Sequence, residues 1–206
     1  MKSLTQLKKR MKRLFDFSAS LLFSTIFLPF WIFIAFIIKV DSPGPIFFRQ
    51  DRIGLRGDSF KIFKFRTMIV DAEKKGLQLT VGEKDPRITK VGYILRISKL
   101  DELPQLFNIV LGQMSFVGPR PEVPQYVKRY TAEQRKVLDV LPGITDIASI
   151  KYINENELLR KAPDPEEMYV NKIMQEKLRL NLEYLSRRSF LSDIKIILKT
   201  IFKIIL

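Results

Sequence analysis

Two adjacent carboxylates, Asp101 and Glu102, are the residues of this sequence best suited to chemistry. Arg96 lies five residues upstream, Arg120 stands between two prolines, and Lys64 belongs to an earlier segment. Carboxylates gathered with cations suit a site that handles phosphate together with a hard divalent ion. The ordinary alternative is that Asp101 caps a helix and that each cation is a solvated surface charge. That alternative is weakest for Arg120, because the flanking prolines restrict the backbone on both sides.

The residue types that the sequence lacks limit its chemistry further. It has 206 residues with 36 Lys and Arg against 22 Asp and Glu, a net charge of +14, and neither His nor Cys. A thiolate nucleophile, a Ser-His-Asp triad and a zinc site with Cys or His ligands are therefore excluded. The excess of positive charge predicts an anionic partner, which is a nucleic acid, an anionic membrane surface or a phosphorylated small molecule.

A predicted helix positions the carboxylate pair. Apolar residues recur at helical spacing over residues 102–111, and the pattern ends at Gly112. If Asp101 is the N-cap, Pro104 falls at the third helical position, where its missing N–H removes no intrahelical bond. We therefore expect Asp101 at a helix N-terminus, where the helix dipole and the free amides favour a carboxylate and a nearby phosphate.

The segments around this helix predict a mixed, mainly helical domain. Two strand-like runs, residues 46–49 and 59–67, flank a stretch with two glycines and predict a small β-hairpin that carries Lys64. Residues 71–88 are polar and are expected to form a loop.

The N-terminal region predicts a membrane element. Residues 1–13 are basic and have no acidic residue, and residues 17–38 have no charge over roughly 33 Å of helix, enough for the hydrocarbon core of a bilayer. Pro29 interrupts this run and predicts a bend there. Lys and Arg flank the run on both sides, which favours the cytoplasmic side for both ends. A re-entrant hairpin with Pro29 as its hinge and a kinked spanning helix both remain open on these residues.

The C-terminal residues 190–206 predict an amphipathic helix. Lys195, Lys199 and Lys203 repeat every four residues among apolar side chains. Such a helix suits a membrane interface with anionic lipids, and the alternative is a core helix with a solvated lysine stripe.

Six ordered motifs identify a family to which the whole chain from about Lys12 is similar. They are KRxxD at 12–16 before the Pro-broken run, KIFKFRTM at 61–68, DPRIT at 85–89, LDELPQLFN at 100–108, MSFVGPRP at 114–121 and LPGIT at 141–145. In this order they resemble the bacterial sugar transferases, the monotopic polyprenyl-phosphate phosphoglycosyl transferases, in their small stand-alone form.

The resemblance implies a reaction and roles for the residues singled out above. A sugar 1-phosphate would pass from a UDP-sugar to a polyprenyl (undecaprenyl) phosphate, with release of UMP, to prime the synthesis of a cell-surface glycan. Asp101 would be the nucleophile that carries the phospho-sugar, Glu102 its partner, and both would be ligands of Mg²⁺. Lys64, Arg96 and Arg120 would bind the phosphates. A member of the same family that uses direct in-line transfer, with Asp101 only as a metal ligand, stays an alternative.

The resemblance also implies an organisation. It favours the re-entrant hairpin and the bacterial cytoplasmic (inner) membrane, with the catalytic domain on the cytoplasmic face and with anionic lipids as partners. We expect an α+β, predominantly helical protein in one integrated domain: a basic collar and re-entrant helix over 1–40, a cytosolic catalytic part over 41–189, and an interfacial helix over 190–206. The sequence leaves the oligomeric state open, with a homodimer as one option.

Three segments depart from the family pattern. The family commonly continues LPGIT with GWAQVNG, whereas this chain has DIASIKY at 146–152, and residues 154–168 are also atypical. These residues are expected to shape the nucleotide or sugar pocket, so the donor sugar cannot be transferred from the family. The frequent Asp-x-x-Tyr pattern is replaced by Asn181 to Tyr184, so one carboxylate is missing there and its role is not carried over. The rival class is a membrane-tethered nucleic-acid-binding module. Only residues 60–66 interleave aromatics with cations, and no helix-turn-helix, zinc or RNP pattern is present, so no nucleic-acid partner is expected.

Overall fold

The computed structural model describes residues 2–72 and 85–205 and shows a predominantly helical α+β chain, as the sequence predicts. The predicted loop over 71–88 falls largely outside the described residues. Ten α-helices lie in the described part: α1 (Lys2–Ile26), α2 (Leu28–Asp41), α3 (Lys90–Ile97), α4 (Gln105–Val110), α5 (Pro124–Val127), α6 (Ile147–Lys151), α7 (Glu155–Arg160), α8 (Pro165–Met168), α9 (Met174–Ser186) and α10 (Phe190–Ile205). Four strands accompany them: β1 (Phe47–Ile53), β2 (Ser59–Phe65), β3 (Ser115–Val117) and β4 (Gly143–Thr145).

The first two helices form a bent pair. Phe27 separates α1 from α2, and Pro29 lies in the first turn of α2. The proline has no N–H to donate back to α1, and its ring would clash with the preceding turn of a continuous helix. Within residues 2–72 and 85–205 no single helix combines the length and apolar character of a membrane span, whereas Lys9–Ile26 and Leu28–Asp41 do so together with a bend of 62°.

The predicted β-hairpin is present and is longer at its first strand. β1 pairs antiparallel with β2 from Phe47 opposite Phe65 to Ile53 opposite Ser59, so β1 extends four residues beyond the predicted end at residue 49. The side chains of β2 alternate, which places Lys64 on the same face as the buried Phe60 and Ile62. The strand therefore directs a lysine toward the interior of the protein.

A second, two-stranded sheet was not predicted from the sequence. Ser115 of β3 pairs in parallel with Gly143 of β4, and Val117 pairs with Thr145. The backbone of Gly143, the first residue of β4, approaches that of Gly118, the residue after β3, so closely that a Cβ on Gly143 would lie 2.1 Å from the Gly118 nitrogen. The close approach requires glycine, and it fixes the chain that follows β3 against the start of β4.

One hydrophobic core joins the bent pair to the rest of the protein. Trp31 of α2 is buried, with its ring edge-on to Phe107 at 4.9 Å and to Phe65 at 6.3 Å between centroids. The same core contains Ile109 of α4 and Met114. α2 is therefore packed against both the hairpin and α4, and does not extend away from them.

Two cations of the basic N-terminal segment bind groups of the protein. Arg13 donates to the carbonyl oxygens of Ile109, at 2.6 Å, and Val110, at 3.1 Å, and Lys12 pairs with Asp193. Arg13 thus adds charge-assisted hydrogen bonds to carbonyls of the last turn of α4, where the regular helical bonding ends. Through these contacts Arg13 attaches α1 to α4, and Lys12 attaches α1 to α10.

The predicted C-terminal helix is confirmed as α10. Ile196 and Asp193 are buried, and Thr200 shares a hydrogen bond of 2.6 Å between hydroxyls with Thr145 of β4. The three lysines of the stripe are exposed, as are large apolar residues such as Leu191 and Phe202. One face of α10 therefore packs on the protein, as in the core-helix alternative, while apolar side chains outside that face stay exposed.

The contact of Arg13 with α4 gives a test of this packing. Arg13→Ala removes two charge-assisted hydrogen bonds and leaves two carbonyl oxygens without them, so we expect a loss of about 1.5–3 kcal/mol in the free energy of unfolding. Arg10→Ala, which removes the same charge from an exposed site of the same helix, is the control. Thermal unfolding in detergent measures both. An equal, small shift in the two variants would contradict the assigned role of Arg13.

Candidate active site

The carboxylate pair lies in a tight turn between α3 and α4. Leu100–Glu102 form a 3₁₀ turn that follows Lys99, whose φ is 57°, and α4 begins only at Gln105, with Pro104 as its N-cap. The prediction that Asp101 caps a helix starting at residue 102 is therefore wrong. Backbone bonds of the 3₁₀ type close the turn before Pro104, which has no N–H to continue it, and the α-helix starts after the proline.

Glu102 is held by two cations from different parts of the chain. Its carboxylate accepts a hydrogen bond of 2.8 Å from Lys64 Nζ. It also pairs with Arg120 through both guanidinium NH₂ groups, one of them at 3.0 Å. Both oxygens of Glu102 are thereby engaged, and the bidentate pairing fixes the plane of the Arg120 guanidinium.

Asp101 is in a different situation although it is the adjacent residue. Its side chain is buried, with 6% of the residue exposed. Among the residues that the structure describes, none forms a hydrogen bond or an ion pair with its carboxylate. Lys64, Arg96 and Lys99 act on it electrostatically from a greater distance. The Asp101 carboxylate is thus without a hydrogen-bonding partner among the described residues, and it lies in a positively charged environment.

The two carboxylates have pKa values shifted in opposite directions. Burial raises the pKa of Asp101, the charge of Lys64 opposes this, and the charge of Glu102 adds to it. Burial also disfavours ionised Glu102, but Arg120 and Lys64 outweigh it and hold the pKa of Glu102 well below its usual range. Glu102 is consequently the fixed anion of the pair, and its pairing raises the pKa of Arg120.

Lys64 is positioned by a side-chain clamp that sequence reasoning did not single out. Asn108 of α4 is fully buried, accepts a hydrogen bond of 2.9 Å from the Phe63 N–H and donates one of 2.9 Å to the Lys61 carbonyl. An amide can satisfy one donor and one acceptor of a strand at once. Asn108 therefore locks β2 onto α4 at the two residues on either side of Ile62, just before Lys64, and its place in the LDELPQLFN motif was the available signal.

Arg120 is positioned through its backbone by Asp146. Asp146 Oδ2 accepts a hydrogen bond of 2.7 Å from the Arg120 N–H, while Oδ1 caps α6 through the Ser149 N–H. Asn181 of α9 approaches the same carboxylate at 3.4 Å. An aspartate between a strand and a helix is a usual N-cap, so the cap was readable from the sequence, but its bond to Arg120 depends on the pairing of β3 and β4.

A further group braces the segment after Arg120. Glu122 accepts hydrogen bonds from Tyr169, from Arg52 of β1 and, at 2.8 Å, from the Val123 N–H. Arg52 also donates to the Pro121 carbonyl at 3.3 Å. The Pro-Arg-Pro segment is therefore tied both to the hairpin and to the helical turn that carries Tyr169.

All five residues predicted to bind or react with substrate line one cavity of about 880 Å³. They are Lys64, Arg96, Asp101, Glu102 and Arg120. Asp146, Asn181 and Lys177 also line this cavity, as do Phe23, Phe27 and Lys203. Pro29 is not among its lining residues. The atypical segment at 146–168 supplies part of the wall, including Tyr152 and Glu155.

The acidic side chains allow only a limited role in holding Mg²⁺. Within residues 2–72 and 85–205, no three acidic side chains cluster closely enough to hold a metal ion by themselves. Asp101 offers an uncommitted carboxylate, whereas both Glu102 oxygens bind cations. The site fits a Mg²⁺ that takes one carboxylate from the protein and its other ligands from phosphate and water, a usual arrangement for this ion. Glu102 as a metal ligand stays a prediction.

Comparisons with known proteins assign the family. Residues 7–206 match the family model described as bacterial sugar transferase, and the chain belongs to this family. The family favours a transferase over the nucleic-acid-binding alternative.

Its relatives carry more specific names. The chain is 35% identical over 202 residues to the UDP-glucose:undecaprenyl-phosphate glucose-1-phosphate transferase of Caulobacter vibrioides, covering 92% of this chain and 68% of that protein. It is 36% identical over 209 residues to a protein of the same name from Escherichia coli, covering 97% of this chain but 41% of that protein. A putative undecaprenyl-phosphate N-acetylgalactosaminyl 1-phosphate transferase of Bacillus subtilis is 39% identical over 134 residues, 65% of this chain and 70% of that protein.

Substituting Asp146 tests the positioning of Arg120. Asp146→Ala removes both a helix cap and the acceptor of the Arg120 N–H, so we expect sugar-transfer activity to fall at least tenfold. Asp164→Ala is the matched control, because Asp164 caps α8 by accepting a hydrogen bond of 2.9 Å from the Glu167 N–H at an exposed site. It should cost only the stability of a cap, about 1 kcal/mol. Similar activities of the two variants at equal folded fractions would show that Asp146 acts as a cap alone.

Proposed function

We propose that this chain transfers a sugar 1-phosphate from a UDP-sugar to undecaprenyl phosphate through a covalent intermediate on Asp101. The names of the relatives from Caulobacter vibrioides, Escherichia coli and Bacillus subtilis support undecaprenyl phosphate as the acceptor. Those names cover two different sugars, so the donor is proposed only as the class of UDP-sugars. The product would begin the assembly of a cell-surface glycan.

The observation that carries this proposal is the division of roles between adjacent carboxylates. Both carboxylate oxygens of Glu102 bind Lys64 and Arg120. Asp101 has an ionisable carboxylate at the cavity, and it forms no hydrogen bond or ion pair in the described part of the chain. A carboxylate nucleophile needs a free oxygen lone pair and no proton transfer. Asp101 meets this requirement, and a chain without His therefore needs no general base for the step.

In the first step, one Asp101 oxygen forms a bond to the β-phosphorus of the donor. The bond from that phosphorus to the bridging oxygen breaks, and UMP leaves with the electron pair. Lys64, Arg96 and Arg120 reduce the repulsion between the carboxylate and the diphosphate. A Mg²⁺ bound with Asp101 and the diphosphate would supply further charge neutralisation.

In the second step, an oxygen of the lipid phosphate forms a bond to the phosphorus held on Asp101. The bond from phosphorus to the Asp101 oxygen breaks, and the carboxylate is released in its ionised form. A carboxylate is a weakly basic leaving group, so the acyl phosphate is reactive toward a phosphate oxygen. The product is a polyprenyl diphosphate sugar, and the enzyme returns to its starting state.

The bent helix pair suits an acceptor that resides in a membrane. We propose that α1 and α2 form a re-entrant hairpin that enters and leaves the bacterial inner membrane from the cytoplasmic face, with its hinge at Pro29. The 62° bend and the large apolar residues exposed on both helices support this arrangement. Helix α2 packs on the β-hairpin (β1 and β2) and on α4. The proposed membrane element and the turn that carries Asp101 and Glu102 therefore share one hydrophobic core.

Intact-mass measurement tests the covalent route. Purified protein with Mg²⁺ and a panel of UDP-sugars, without a lipid acceptor, should gain the mass of one sugar phosphate and release one equivalent of UMP. Asp101→Asn should show neither. Glu102→Gln removes the anion that orients Arg120, so it should form the same adduct at a rate reduced at least a hundredfold.

The in-line alternative predicts a different result. UMP would then be released only when undecaprenyl phosphate is present, and no adduct would form. That outcome would refute the covalent step while leaving the overall reaction intact. Absence of UMP release with every donor, with and without acceptor, would refute the proposed reaction itself.

A further inference from the structure

We propose that Lys203 of α10 binds the phosphate of the polyprenyl acceptor, at an apolar mouth of the cavity formed by Phe23, Phe27 and Ile204. This inference rests on the proposed function and locates within it the route by which the lipid reaches Asp101. It assigns to the last turn of α10 a role in substrate binding beyond contact with the membrane surface.

The first support is the continuity of the cavity. The space that reaches Asp101, Glu102 and Arg120 also reaches Phe23 and Phe27, next to the break between α1 and α2. These two aromatic residues are large, apolar and exposed, at 46% and 43%. The break in the bent helix pair therefore borders the same space as the nucleophile.

The second support is the charge at this mouth. Lys203 and Ile204 of α10 line the cavity together with Thr200, one turn earlier. Within the described part of the chain, Lys203 makes neither an ion pair nor a side-chain hydrogen bond. Lys64 and Arg120, by contrast, are committed to Glu102. Lys203 is thus a cation among the residues that line the cavity, and it is available to a second phosphate.

The combination of groups fits a lipid phosphate better than a soluble one. Inorganic phosphate would gain nothing from the apolar side chains of Phe23, Phe27 and Ile204, and a nucleotide has no aliphatic chain to lay along them. A polyprenyl phosphate would place its chain against these side chains and its headgroup near the ammonium of Lys203. The occupant that we assign is therefore an isoprenoid phosphate, delivered from the side of the bent helix pair.

Helix α10 provides its own control. Lys199 belongs to the same exposed stripe as Lys203, one turn away, but it is not among the described residues that line the cavity. A charge that served only to attract anionic lipids would act alike at both positions. A charge that binds the acceptor within the cavity would act at Lys203 alone.

Steady-state kinetics in mixed micelles of fixed composition separate these roles. Lys203→Ala should raise the KM for undecaprenyl phosphate at least tenfold and leave the KM for the UDP-sugar within twofold of that of the unchanged protein. Lys199→Ala should leave both constants within twofold. Lys203→Arg should restore most of the acceptor affinity, since it retains the charge. Equal effects of the two alanine variants, or a raised donor KM in Lys203→Ala, would overturn the proposal.

A binding measurement without donor makes the proposal independent of the transfer reaction. The full chain in detergent should bind farnesyl phosphate more tightly than farnesol or inorganic phosphate, and Lys203→Ala should lose this preference while Lys199→Ala keeps it. If the donor panel yields no transfer but this preference is present, the lipid-phosphate site stands and the proposed reaction fails. If transfer occurs but Lys203→Ala keeps the preference, the reaction stands and the assigned site is wrong.

Discussion

The pairing of Glu102 with Lys64 and Arg120 is the interaction on which the arrangement of this site depends. It joins three separate segments: strand β2, the 3₁₀ turn and the Pro-Arg-Pro segment after β3. Buried charges are costly unless they are paired and hydrogen-bonded, so none of the three segments can move away without leaving a partly buried charge unpaired. Because Lys64 and Arg120 bind Glu102, the adjacent Asp101 carboxylate has no ion pair or hydrogen bond within the described part of the chain.

Much of the surrounding structure holds these three segments in place. Asn108 locks β2 to α4, Asp146 holds the backbone of Arg120, and Arg13 ties α1 to the far end of α4. The contact between Gly118, just after β3, and Gly143 of β4 holds together the segments that carry Arg120 and Asp146. Short polar contacts at the ends of helices and strands therefore link the fold to the site. The hydrophobic core formed by α2, the β-hairpin and α4 packs against the same segments.

The sequence predicts the helical character, the hairpin, the break near Pro29 and the amphipathic C-terminal helix, because periodicity and proline are local signals. It also names the cationic and acidic residues that the fold brings to one cavity. It misplaces the helix start near Asp101, since the apolar periodicity does not distinguish the 3₁₀ turn that closes before Pro104 from a first turn of α-helix. The parallel pair β3 and β4 escapes prediction because each strand has only three residues and the contact is distant in sequence. The link from Asp146 to Arg120 escapes for the same reason.

The central claim is that chemistry occurs on Asp101 and that Glu102 serves as its fixed neighbour. Its most direct test is to locate the phospho-sugar on the chain, by trapping the adduct, reducing the acyl phosphate with borohydride and mapping the resulting alcohol by peptide mass spectrometry. The account predicts reduction at residue 101 and an unchanged glutamate at residue 102. Reduction at residue 102, or at any other acidic position, would contradict it.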